Sequence, residues 1–155
     1  MERVIIQIHE LLVKKHKTIA VAESCTGGLL SSLLTSLDGS SQYFILGAVV
    51  YSNKAKSSIL GIPGSLINNK GAVCAQVTAL MAKGVRKLAH TDFGIGISGI
   101  AGPGGGSKTK PVGTVFIAVE GKSKKTCRKF IFKGSRSSVR KKSALKSLEL
   151  LRSFL

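Results

Sequence analysis

Thr18-Ile19-Ala20-Val21-Ala22-Glu23-Ser24-Cys25-Thr26-Gly27-Gly28 joins two periodicities. Its first half, Thr18–Ala22, is a short apolar run that reads as a buried strand. The residues after it, Leu29, Leu30, Leu33, Leu34 and Leu37, recur at the spacing of one apolar helix face. A strand running directly into a helix puts Ser24 at the turn between them. Such a turn aims free backbone N–H groups outward, and the helix dipole favours negative charge there. A hydroxyl nucleophile or a bound anion suits that place. A Ser/Thr cap followed by glycines for close packing accounts equally for the string, so the local sequence leaves both readings open.

Outward from this junction the chain alternates. Residues 2–15 read as an amphipathic helix with Val4, Ile5, Ile8, Leu11 and Leu12 on one face. A strand over 18–23 and a helix over 26–37 follow, then a turn at Asp38-Gly39-Ser40-Ser41. Residues 43–51 form an apolar strand. Ser52 or Asn53 can cap a short helix that ends near Gly61-Ile62-Pro63-Gly64. The spacing of Val73, Val77, Leu80, Met81, Val85 and Leu88 predicts a helix over 72–89. Phe93–Ile97 is a glycine-thinned strand, and Gly99–Gly106 reads as a flexible loop. Val112–Val119 and Lys125–Phe132 flank Glu120-Gly121-Lys122-Ser123 as a β-hairpin, and a last helix runs from about 137 to 153. Five strands interleaved with five helices predict a three-layer α/β/α sandwich, and the late hairpin makes its sheet mixed. No repeat or long linker divides residues 1–155, so a single domain is expected.

Composition narrows the class. The chain has 155 residues, enough for one domain with a sizeable core. No apolar run approaches the roughly 18 residues of a membrane span, and Glu2 and Glu10 do not fit a signal peptide. Cys25, Cys74 and Cys127 are odd in number and lack metal-type spacing, as expected of reduced thiols. His9, His16 and His90 are isolated. These features point to a cytoplasmic protein without a metal, cofactor or membrane partner. Twenty-four Lys and Arg against seven Asp and Glu give a formal charge of +17. The cations cluster at Lys14–Lys17, Lys122–Lys129 and Lys133–Lys146. That balance favours an acidic partner, although a solvated Lys-rich surface explains it as well. With no Trp and few aromatics, platforms for single strands are poor. Nucleic acid is therefore expected only as a weak, nonspecific partner.

Three further strings can carry chemistry. Tyr51-Ser52-Asn53-Lys54-Ala55-Lys56 lies just beyond the second strand, where open α/β sheets place their sites. A Tyr phenolate or a desolvated Lys can act as base for a serine, though Tyr and Lys near a helix start are commonly surface residues. Gly96-Ile97-Ser98-Gly99-Ile100-Ala101-Gly102-Pro103-Gly104-Gly105-Gly106 lets a backbone approach a ligand closely, and it is neither a P-loop nor a dinucleotide fingerprint. Gly134-Ser135-Arg136-Ser137-Ser138-Val139-Arg140 sets two arginines four apart at a helix start, which suits phosphate or a solvated basic end.

Taken with Lys110-Pro111-Val112-Gly113-Thr114-Val115, these strings resemble the carboxy-terminal domain of CinA proteins, in order and without large gaps over roughly residues 4–152. Glu-Ser-Cys-Thr-Gly-Gly and Gly-Ile-Ala-Gly-Pro make the resemblance specific. Single-domain members of that family include nicotinamide-nucleotide amidases. The resemblance implies metal-free hydrolysis of nicotinamide mononucleotide to nicotinate mononucleotide and ammonia. It implies a Ser24 nucleophile supported by Tyr51 and a Lys, with Ser98 near the reacting group, in a dimer or larger homo-oligomer. Lys56 matches the lysine of the family string. Three departures stand out: Ser98 where the family usually has Thr, Ser135 where an acid is common, and no acidic pair around Ala75-Gln76.

The mechanism expected from this reading has Ser24 attack a carboxamide carbon. Backbone N–H groups from Cys25, Thr26 and Gly27 hold the oxyanion, and Lys56 or Tyr51 carries the proton to leaving ammonia. Arg136 or Arg140 holds the 5′-phosphate, and Asn53, Ser98 and Gly99 complete the substrate site. Three alternatives stay open: a nucleotide-binding or competence-related accessory protein without turnover, a nucleic-acid binder, and Cys25 as the nucleophile in place of Ser24.

Overall fold

A computed structural model describes residues 2–155. One sheet gathers five strands: β1 (Ile19–Glu23), β2 (Phe44–Val49), β3 (Phe93–Gly99), β4 (Thr114–Glu120) and β5 (Lys125–Ile131). Their order is β2-β1-β3-β4-β5. β1 is parallel to β2 and to β3, whereas β4 and β5 are antiparallel to their neighbours, so the sheet is mixed as the hairpin predicts. The helices are α1 (Glu2–Lys14), α2 (Leu29–Leu34), α3 (Asn53–Leu60), α4 (Gly64–Lys70), α5 (Ala75–Ala89) and α6 (Arg136–Arg152).

Alternation along β1 divides the core. Ile19 and Val21 point into a layer with Ile8 and Leu12 of α1, Leu30 of α2 and Val139 and Leu148 of α6. Ala20 and Ala22 point the other way, toward Ile67 of α4 and Val77, Met81 and Val85 of α5. Side chains alternate across a strand, so a central strand apolar from Ile19 to Ala22 must be covered on both faces. Glycine sets how closely the second layer can sit. A Cβ on Gly96 would lie 2.8 Å from the Ala82 backbone nitrogen and would overlap the Thr78 carbonyl oxygen. The glycine thinning of β3 thus lets the α5 backbone rest directly on the strand.

The structure corrects several boundaries. The helix expected over 26–37 is shorter, because Thr26–Gly28 form a turn with Gly27 and Gly28 at positive φ. Six α-helices form among the described residues where five were expected. α4 was missed because Gly-Ile-Pro-Gly reads as a terminator; here Pro63 is the N-cap residue of a new helix. Gly99 belongs to β3, and the loop after it is tethered: the Ile100 N–H donates to the Thr114 carbonyl at 2.8 Å, and the Gly113 N–H donates to the Ile100 carbonyl at 2.7 Å. The second strand is trimmed to 44–49, and Tyr43 instead buries its ring and donates its hydroxyl to the Leu34 carbonyl. No helix among the described residues is long and apolar enough to cross a membrane.

Gly96→Ala should lower unfolding stability by about 1–3 kcal/mol, the usual cost of overpacking. The urea midpoint should fall while the slope stays unchanged.

Candidate active site

Parallel strands β2, β1 and β3 end on the same edge of the sheet, with β1 in the middle. The chain leaves β1 for β2 on one side and reaches β3 on the other, which makes this edge a topological switch point. A cleft of about 290 Å³ opens there. Its walls include Ser24 and Cys25 after β1, Tyr51, Asn53 and Lys56 after β2, Ser98 and Gly99 at the end of β3, and Arg136 from α6.

Lys56 is the centre of the arrangement. The Ser52 hydroxyl accepts from the Ala55 N–H and caps α3, which turns Lys56 inward. Only 1% of Lys56 is exposed. Its Nζ lies 3.1 Å from Ser24 Oγ, 2.9 Å from the Val50 carbonyl and 3.0 Å from the Tyr51 carbonyl. The ammonium's three protons match these three acceptors, yet it makes no salt bridge to a carboxylate among the described residues. Burial therefore pulls the Lys56 pKa below its ordinary value of 10.5, opposed only in part by the Cys25 thiol. A neutral Lys56 keeps a lone pair that can take the Ser24 proton. Lys54 is exposed and outside the cleft wall, so tertiary structure separates two lysines that the sequence could not.

Glu23 overturns the expectation of free N–H groups at the helix start. Its buried carboxylate accepts from the N–H groups of Gly28 (3.1 Å), Leu30 (3.1 Å) and Ser31 (2.8 Å) and from the Ser31 hydroxyl (2.6 Å). The α2 N-terminus is thus occupied by the protein's own anion. Sequence reasoning missed this role, although an acid just before a strand-to-helix turn is the signal that could have found it. Other assignments shift as well. The Gly27 N–H donates to the Ser24 carbonyl at 3.1 Å, and Gly27 lies outside the cleft wall. The Thr26 side chain is fully buried, with no partner for its hydroxyl among the described residues. Arg140 donates to the Thr26 carbonyl through Nε (3.2 Å) and Nη2 (2.7 Å), also outside the cleft.

Arg136 does face the cleft. It donates to the Gly102 carbonyl at 2.9 Å and to the Tyr51 hydroxyl at 3.1 Å. Tyr51 is 57% exposed, and its hydroxyl makes no hydrogen bond to Ser24. The buried Ser98 hydroxyl donates to the Ala72 carbonyl at 2.8 Å. Its lone pairs remain available as acceptors. Burial pushes the Cys25 thiol up to about 11, with Glu23 adding to the rise and its own backbone N–H, Lys56 and Arg136 opposing it. Cys25 is therefore a neutral thiol near pH 7, a poor nucleophile beside Ser24. No group of three or more His, Cys, Asp or Glu among the described residues is placed to hold a metal ion.

Fold and site together define an α/β/α protein with a Ser–Lys pair in a switch-point cleft. The family model of the CinA C-terminal domain matches residues 1–155, and the chain belongs to that family. A CinA-like protein of Thermotoga neapolitana is 48% identical over 155 residues, which is 100% of this chain and 37% of that protein. The chain spans about a third of the length of the curated relatives it matches. Among solved structures, the competence/damage inducible protein CihA of Agrobacterium tumefaciens superposes with a TM-score of 0.96 at 33% identity, covering 98% of this chain and 93% of that one. A competence-damaged protein (CinA) superfamily protein of Escherichia coli superposes at 0.93 with 30% identity, covering 98% and 88%.

Lys56→Met should stabilise the fold, because it replaces a buried cation that lacks a carboxylate with an apolar chain of similar length. A gain of a few degrees in Tm is expected. The gain has a pH dependence of defined sign. Below the lowered folded pKa, Lys56 is charged in both states and its burial penalty is complete. As pH rises from there toward 10.5, the unfolded chain holds the extra proton and the penalty disappears. Paired melts across that range should show the advantage of the variant shrinking.

Proposed function

We propose that the cleft is the active site of a nicotinamide-nucleotide amidase, which hydrolyses nicotinamide mononucleotide to nicotinate mononucleotide and ammonia in pyridine nucleotide salvage. The observation that carries this reading is the 3.1 Å contact between Ser24 Oγ and the buried amine of Lys56. A serine needs a base to become nucleophilic, and Ser–Lys pairs meet that need without histidine. The substrate class comes from the family resemblance; the cleft's size and its outward-facing cation are compatible with it.

In this mechanism, neutral Lys56 takes the Ser24 proton as Oγ attacks the carboxamide carbon. No main-chain, hydroxyl or carboxylate oxygen among the described residues accepts the Cys25 or Thr26 N–H. The Cys25 N–H, on the residue after the nucleophile, receives the developing oxyanion. Protonated Lys56 then gives its proton to the amine, which leaves as ammonia. Water enters, loses a proton to Lys56 and cleaves the acyl-enzyme, releasing the carboxylate and restoring Ser24. Arg136 binds the 5′-phosphate at the cleft mouth, and that remote contact orients the amide. Tyr51 holds Arg136 through its hydroxyl, so its contribution is to binding more than to proton transfer. Asn53, Ser98 and Gly99 shape the wall around the ring.

The remaining positive charge serves a different role. Lys125, Arg128 and Lys129 on β5 and Lys141 and Lys142 on α6 are exposed and outside the cleft. They should give no more than weak nucleic-acid retention that salt removes.

Ammonia release from nicotinamide mononucleotide, with free nicotinamide and the riboside as controls, tests the reading. Ser24→Ala should abolish turnover, and Lys56→Arg should lower kcat at least roughly a hundredfold. Cys25→Ala should retain most activity. Because only neutral Lys56 accepts a proton, kcat/KM should rise with pH and level off below 10.5. A rate that is flat with pH, or full activity in Ser24→Ala, would refute the assignment.

A further inference from the structure

Ser24 to Gly27 form a turn closed by the Gly27 N–H donating to the Ser24 carbonyl at 3.1 Å, with Gly27 at φ +60°. Two charged side chains hold this turn and the helix start that follows it. The Glu23 carboxylate takes the N–H groups of Gly28, Leu30 and Ser31, just after the turn. Arg140 reaches from α6 and grips the Thr26 carbonyl, within the turn, with two donors. The peptide between Thr26 and Gly27 is therefore fixed at both ends, its carbonyl by Arg140 and its N–H by Ser24. The Ser24 N–H also donates to the Ile97 carbonyl at 3.0 Å, which ties the start of the turn to β3. No oxygen among the described residues accepts the N–H groups of Cys25 and Thr26.

From this we infer that Glu23 and Arg140 are positioning residues. They act outside the cleft to hold the nucleophile turn so that the Cys25 N–H and Ser24 Oγ share one attack geometry. The inference rests on the amidase reading for its chemistry. It removes Arg140 from the phosphate site and leaves Arg136 there. Several observations favour this division. Arg140 does not line the cleft, and both of its hydrogen bonds go to one carbonyl. A side chain on Gly27 would meet Arg140 Nη2 at 3.3 Å, so the guanidinium sits close against the turn. Two charge-assisted bonds from a planar fork also hold a carbonyl in one orientation, which a single flexible ammonium does not. A buried carboxylate without a cation is tolerable at Glu23 because four donors and the start of α2 receive it.

The test compares Arg140→Ala, Arg140→Lys and Glu23→Gln with Lys141→Ala, an exposed cation of the same helix that should behave as the parent. Arg140→Ala should lower kcat on nicotinamide mononucleotide roughly 10- to 100-fold with KM changed less than about twofold, since misplaced attack geometry and a lost oxyanion donor act on the transition state. Arg140→Lys should recover part of that loss. A neutral serine-directed fluorophosphonate, followed by intact mass, should label Ser24 of the parent and label Arg140→Ala at least about tenfold more slowly. Amide hydrogen exchange over Cys25–Gly28 should quicken in Arg140→Ala and in Glu23→Gln, with global protection retained. A KM that rises for the mononucleotide but not for the riboside in Arg140→Ala would return Arg140 to the phosphate site and overturn the proposal. Unchanged exchange over the turn in both variants would overturn it also, and that measurement needs no turnover. If the parent releases no ammonia from any pyridine amide while exchange and labelling change as expected, the amidase reading fails and the positioning role stands.

Discussion

A lysine amine held away from water, with only neutral oxygens for company, is the constraint on which the site depends. Lys56 meets its three acceptors only because three segments converge: the nucleophile turn after β1, the end of β2 and the first turns of α3. None of these acceptors is charged, so nothing offsets the loss of hydration as a carboxylate would. That deficit lowers the pKa of the amine and favours the neutral form, which can accept a proton. A buried cation also destabilises a fold, so the surrounding core must carry the cost.

The core can carry it because both faces of the sheet are covered closely. α5 rests on β3 where glycine removes the side chains that would hold it off, and this brings Thr78 and Ala82 against the strand. The opposite face is filled by α1, α2 and α6, whose apolar residues meet Ile95, Ile97, Val115 and Ile117. α6 has two roles in consequence. Its buried Val139 and Leu148 anchor it, and its first turns deliver Arg136 to the cleft and Arg140 to the back of the nucleophile turn.

Charge is distributed unevenly in a way that net balance does not reveal. Of the few acids, Glu23 is consumed inside the fold and Asp92 is tied to Thr18 and Lys17, which holds its carboxyl below its usual value despite partial burial. Glu149 pairs with Lys146. The cleft itself is lined by two cations, one buried and one facing outward. The +17 total is thus mainly a property of the outer surface, and local chemistry is set by the burial of one lysine.

Much of this protein was legible in the order of its residues. Period-two and helical spacing placed five strands and most helices, and the Glu-Ser-Cys-Thr-Gly-Gly and Gly-Ile-Ala-Gly-Pro strings marked the family and the cleft walls. Those signals survive because they are local: a strand's alternation and a cap's hydroxyl depend on near neighbours. Direction and burial are not local. Sequence could not show which of Lys54 and Lys56 reaches Ser24, or which of Arg136 and Arg140 faces the cleft, because residues two or four apart share composition and neighbourhood. The helix's rotation separates them, sending Lys56 to Ser24 and leaving Lys54 in water, sending Arg136 to the cleft and Arg140 to Thr26. The same holds for Glu23. One residue before the serine it is only an acid in a strand, and its role as the cap of α2 exists because the turn folds the helix start back over its carboxylate. Sequence determined which groups were available; tertiary structure decided which of them meet, because contact depends on the path of the whole chain.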